Sequence, residues 1–167
     1  HNLKAVEEAG RHTLLGDPME IALAEIGREI AGDLAAFSRI DEIPFDTDRK
    51  RMLVLSETPQ GRMLYCKGAP ETVLEVCNFV QFDAGVVPID PAAKTRLLAA
   101  QEQMAEAGLR VLAFAHCPVK DGMPNEERGM ILSGLVGLED PPRAEVPDAI
   151  ARCATAGIRI IMVTGDH

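Results

Sequence analysis

Two short apolar runs, Met52 to Leu55 and Met63 to Cys66, flank Ser56-Glu57-Thr58-Pro59-Gln60-Gly61, a stretch rich in turn formers. That pattern predicts a β-hairpin. Its second strand leads directly into Gly68-Ala69-Pro70-Glu71. Pro70 suits the first turn of a helix and Glu71 favours the helix dipole, so a short helix is expected to run to about Cys77. Lys67 therefore lies at a strand-to-helix junction.

Other elements are signalled by caps. Asp17 can cap a helix from Pro18 to about Ile30, with Glu20 at capping-box spacing. Pro44 pushes Ile43 out of the helical region, so Ile40 to Phe45 reads as extended chain ahead of the basic cluster Arg49-Lys50-Arg51. Asp90-Pro91 repeats the cap-then-proline signal for a helix ended by Gly108, followed by a strand from Leu109 to Ala115. Lys120 to Arg128 reads as an exposed loop or linker. Beyond it come strand-like Ile131 to Leu138, helix-like Val146 to Ala156 and the β-branched run Ile158 to Val163. Strand, helix and strand at this spacing predict a parallel βαβ unit. Two strands cannot bury themselves, so the tail reads as the beginning of a second domain. The division expected is 1–129 and 130–167.

Composition excludes several classes. With 47% apolar residues in 167, the chain can bury one core and part of another. A formal charge of −9 repels a nucleic-acid backbone, so no nucleic-acid partner is expected. Apolar runs are too short to span a bilayer, and the first residues do not resemble a signal peptide, so a soluble piece without membrane contact is expected. The four cysteines, Cys66, Cys77, Cys117 and Cys153, form no C-x-x-C pair and sit beside apolar residues. Buried reduced thiols are expected, and no metal site.

The motifs that could carry chemistry each have a plain structural reading beside the functional one. Glu20 serves a helix cap or a nearby ligand. Phe45 suits a core position or a stacking platform for a flat ring. At Lys67-Gly68-Ala69 a glycine, a helix start and an ammonium together favour a phosphate, although no Walker A pattern surrounds them. Asp140-Pro141-Pro142-Arg143 places an acid and a guanidinium either side of a stiff diproline, useful for a hinge or an ordinary turn. Thr164-Gly165-Asp166 follows a predicted strand, where open α/β sheets place ligands.

Taken in order, GDPMEIAL from Gly16, PFDTDRKRM from Pro44, YCKGAPE from Tyr65, GLRVLAFA from Gly108, GLEDPPR from Gly137 and MVTGDH from Met162 span essentially the whole chain. This ordered set resembles the nucleotide-binding domain of P-type cation-transporting ATPases with the first part of their phosphorylation domain. PFDTDRKRM with DPPR resembles the calcium-pump-like branch, of a bacterial kind. The resemblance implies an α/β (α+β) fold: a mainly antiparallel sheet flanked by helices, then an incomplete parallel βαβ piece of a haloacid-dehalogenase-like phosphorylation domain. It implies ATP as ligand, with Glu20 reaching toward adenine, Phe45 stacking on it, and Lys67, Gly68 and Ala69 lining its pocket. It places Lys50 near the phosphates, Arg110 at the nucleotide's phosphate end or ribose, Asp140, Pro141 and Pro142 in a hinge, and Arg143 beside the nucleotide. Thr164 and Asp166 match the residues that meet the transferred phosphoryl group and magnesium in the full protein.

The same resemblance implies partners within one polypeptide: phosphorylation, actuator and membrane domains, with this chain a cytoplasmic domain of an integral membrane protein. Neither the DKTGT sequence holding the family's phosphorylated aspartate nor its GDGxND sequence occurs here, and Thr47 stands where calcium pumps can carry an arginine. The chain is therefore expected to bind ATP without hydrolysing it. A haloacid-dehalogenase-like phosphatase lacking its DxD, or a noncatalytic interaction domain, are the competing readings.

Overall fold

Ile43, Leu53, Cys66, Ala115, Leu132 and Val80 form one row of paired residues across six strands. From Leu53 to Val80 none is more than 3% exposed. The row belongs to a computed structural model that describes residues 4–8, 11–32, 37–120, 122–124, 127–139 and 143–163. Its strands are β3 (Ser38–Asp46), β4 (Arg51–Thr58), β5 (Gly61–Gly68), β6 (Cys77–Phe82), β7 (Gly85–Pro88), β8 (Arg110–Pro118) and β9 (Met130–Leu138). They form a seven-stranded sheet in the order β3-β4-β5-β8-β9-β6-β7. An earlier hairpin, β1 (Lys4–Glu8) with β2 (Arg11–Leu15), forms a separate two-stranded sheet.

Strand alternation gives the sheet two different faces. Helix α2 (Pro70–Val76) covers the core face with Val73, Leu74 and Val76, and α3 (Pro91–Glu106) adds the buried Ala93. Fully burying one leucine of this row contributes about 2 kcal/mol, the dominant stabilising term for a mixed sheet of this size. The caps follow the sequence closely. Asp17 Oδ1 accepts from the Met19 and Glu20 amides ahead of α1 (Pro18–Ala31), at 2.9 and 3.4 Å. Asp90 Oδ1 accepts from the Ala93 amide at 2.6 Å.

The mainly antiparallel sheet flanked by helices matches expectation, with one parallel pair between β6 and β9. Strand β9, expected to open a parallel unit, lies inside the same sheet, antiparallel to β8 and parallel to β6. With both edges of β9 occupied, residues 158–163 have no place beside it. Those residues carry none. Their apolar side chains stand open to solvent, Val163 at 91% exposure, and α4 (Val146–Thr155) buries no residue. The boundary expected after residue 129 therefore falls between two hydrogen-bonded strands of one sheet. The β6–β7 hairpin, missed by the motif reading, turns at Asp83-Ala84 into Gly85, whose φ of +125° suits glycine.

Candidate functional site

On the face opposite α2 and α3, Met52, Lys67 and Phe114 are cross-strand neighbours, with Val54 and Tyr65 in the adjoining row. They floor a cavity of about 550 Å³ that Phe37, Arg39 and Ser56 also line. The floor is apolar because β4 and β5 alternate: Leu53, Leu55, Leu64 and Cys66 turn to the core, and the residues between them turn here. Its rim carries charge. Lys67 Nζ pairs with Glu20 Oε1, bringing α1 onto the outer face of β5, and both side chains are largely covered.

Lys50 stands at the end of the Asp46–Lys50 turn with a φ of +49°. Asp46 Oδ1 accepts from the Asp48 and Arg49 amides, each at 2.9 Å, and these bonds hold the Asp46 carboxyl below its ordinary pKa. The Lys50 carbonyl accepts from the Ala69 amide at 2.9 Å. Between them, Gly68 leaves no room for a side chain: a Cβ there would lie 2.4 Å from the Lys50 oxygen and 2.5 Å from Arg51 Cβ. The close approach of β4 thus accounts for this glycine, and Ala69 spends its amide on Lys50. Lys50 Nζ reaches Glu71 Oε1 at 3.5 Å.

The structure accordingly brings together Glu20 with Lys67, and Lys50 with Gly68 and Ala69. Phe45 lies on edge strand β3 beside a register shift, 60% exposed and outside the cavity lining. Arg110 opens β8 opposite Leu138, exposed. Arg143 is exposed, its carbonyl accepting from the Val146 amide at 3.0 Å before α4. Asp140, Pro141, Pro142, Thr164 and Asp166 lie outside the described residues.

Two features escaped the motif reading. The cavity floor, with Tyr65 and Phe114, was legible only as strand alternation. Glu127, expected in a linker, is instead a half-buried clamp: it accepts from Arg51 Nε at 2.7 Å and pairs with Arg49. Burial raises its pKa, but hydrogen bonds from Arg49 and Arg51 outweigh that and hold it below 4.5. The thiols are free, with Cys66 and Cys77 buried and Cys117 and Cys153 half-buried. Among the described residues no group of three His, Cys, Asp or Glu side chains is placed to hold a metal, and no helix is long and apolar enough to cross a membrane. An apolar floor with a charged pair at its rim can bind a flat, partly polar ring.

Comparison with known proteins gives this geometry a family. The model for the P-type ATPase cytoplasmic domain N matches residues 1–145, a span that takes in β9. Calcium-transporting ATPase 1 of Lactococcus lactis subsp. lactis is 39% identical over 162 residues, covering 92% of this chain and 18% of that protein. Potassium-transporting ATPase alpha chain 1 of Xenopus laevis is 33% identical, over 94% of this chain and 17% of its own. Calcium-transporting ATPase 10, plasma membrane-type, of Oryza sativa subsp. japonica is 34% identical, over 97% and 17%. The chain thus spans less than a fifth of the length of these relatives.

Proposed function

Because the chain belongs to the P-type ATPase cytoplasmic domain N family, we propose that it is the ATP-binding module of a cation-transporting P-type ATPase. The observation that carries the reading is the Glu20–Lys67 pair at the rim of an apolar cavity floored by Met52, Val54, Tyr65 and Phe114. A purine has an apolar face and a polar edge, and this surface offers both complements. Phe45, with its ring open to solvent, is the stacking partner. Lys50 and Arg110 meet the phosphates and ribose.

In the full pump the module presents the γ-phosphate to an aspartate that this chain does not contain. Magnesium supplies charge neutralisation on the phosphates when bound. Asp140, Pro141 and Pro142 form the hinge, with Arg143 close to the nucleotide, and Thr164 and Asp166 face the transferred group from the phosphorylation domain. Closure between the modules couples transfer to transport. The cation we assign is calcium, on the strength of the PFDTDRKRM and DPPR segments.

The test is a titration of the purified chain with ATP followed by NMR, alongside Phe45→Ala. Selective shifts at Glu20, Phe45 and Lys67, weakened in the variant by about tenfold in affinity, support the reading, since stacking on one base is worth about 1–3 kcal/mol. A well-folded sample unmoved by millimolar ATP overturns it in favour of an interaction domain.

A further inference from the structure

The turn carrying Lys50 is held from three directions. Within it, the Lys50 amide donates to the Asp46 carbonyl at 2.7 Å and Asp46 Oδ1 accepts from the Asp48 and Arg49 amides. From β5, the Ala69 amide holds the Lys50 carbonyl. From a segment 76 residues further along, Glu127 takes Arg51 through Nε, and its other oxygen takes Arg49. Arg51 is braced in turn on the Thr72 carbonyl at 3.3 Å.

Lys50 is the one non-glycine position with positive φ among the described residues. A left-handed conformation is disfavoured for a residue with a Cβ and persists only where its surroundings fix it. Of three successive cations, Glu127 claims the two outer ones. The middle one is left on Glu71, with both side chains more than half exposed. Such an exposed pair is weak and yields readily to a phosphate.

We propose that Glu127 is a positioning residue for Lys50: by clamping Arg49 and Arg51 it aims the intervening ammonium at the phosphate tail of the bound nucleotide. The inference rests on the nucleotide reading above. It makes Glu127 act on the phosphates and not on the base, which the cavity and Lys67 hold separately.

The experiment measures ATP and adenosine affinities of the whole chain by calorimetry for wild type, Glu127→Gln, Lys50→Ala and the double variant. Glu127→Gln is expected to weaken ATP about three- to tenfold, leave adenosine within about twofold, and have no further effect once Lys50 is alanine. If Glu127→Gln lowers ATP affinity equally with and without Lys50, or lowers adenosine affinity in proportion, Glu127 merely holds the fold and the inference fails. If Glu127→Gln does not fold, Glu127→Asp, which keeps the charge and shortens the reach, carries the same comparison. A wild-type chain that binds adenosine but gains nothing from the phosphates overturns this inference alone. One that binds neither ligand overturns the nucleotide reading with it.

Discussion

The Lys67 ammonium on β5 is paired with the Glu20 carboxylate on α1, 47 residues earlier in the chain, and both are largely covered. The pair does two jobs: it seats α1 on the sheet's outer face and sets one cation and one anion at the cavity rim. Lys67→Ala removes the cation from the cavity rim and takes from the covered Glu20 carboxylate its Lys67 partner beside the base. ATP affinity is expected to fall by about tenfold or more, while Glu20→Gln costs ATP less and adenine selectivity more. Competition calorimetry with ATP and GTP checks both.

Gly68 is where the backbone tolerates least. A Cβ would meet the Lys50 oxygen at 2.4 Å, and both contacting groups are backbone or close to it, so β4 and β5 must separate locally. Gly68→Ala is expected to destabilise the chain by about 1–3 kcal/mol, as overpacking does, and to loosen the Lys50 turn. Thermal denaturation gives the first number. Loss of hydrogen-exchange protection at the Ala69 amide reports the second.

Glu127 predicts how stability varies with acid. Its folded pKa lies below the ordinary glutamate value of 4.5 because Arg49 and Arg51 bind the charged form. The folded state therefore binds fewer protons there than the unfolded chain, and the clamp's contribution is complete above pH 4.5 and lost as pH falls through the lowered value. Urea denaturation of wild type and Glu127→Gln should differ by about 1–2 kcal/mol at pH 7, and the gap should shrink as pH falls below 4.5. A gap that stays constant down to pH 3 would rule out the clamp as its source.

Thiol chemistry separates the core from the surface. Burial pushes Cys66 up to about 11 and Cys77 up to about 12, where thiolate is scarce at pH 8. Both should resist a thiol reagent in the native chain at pH 8, while Cys153, half-buried on α4, reacts first. Mass spectrometry of the partly labelled protein gives the order, and early labelling of Cys66 would contradict the packing of the six-strand row.

Much of the fold was local enough to read. Asp17 and Asp90 cap helices where the sequence places them, because a cap needs only the next three residues. The β4–β5 hairpin and the core parity of Leu53, Leu55, Leu64 and Cys66 follow from alternation and a turn of Pro and Gly. The candidate residues Glu20, Lys50 and Lys67 could be named from motif order alone. The meeting of Glu20 with Lys67, and of Lys50 with Gly68 and Ala69, could not be read, because a motif says nothing of which element lies on which strand.

What the sequence by itself determined is most of the elements, the β6–β7 hairpin excepted among others: where helices start, which strands alternate and which side of those strands is apolar. Those properties arise from neighbouring residues and short-range backbone sterics. Only the tertiary structure decided strand order, the insertion of β9 between β8 and β6, the clamp of Glu127 on Arg49 and Arg51, and the seating of Glu20 on Lys67. Each depends on which apolar faces are buried together, a competition settled over the whole chain. Residues 158–163 carry no strand although their own β-branched side chains favour one.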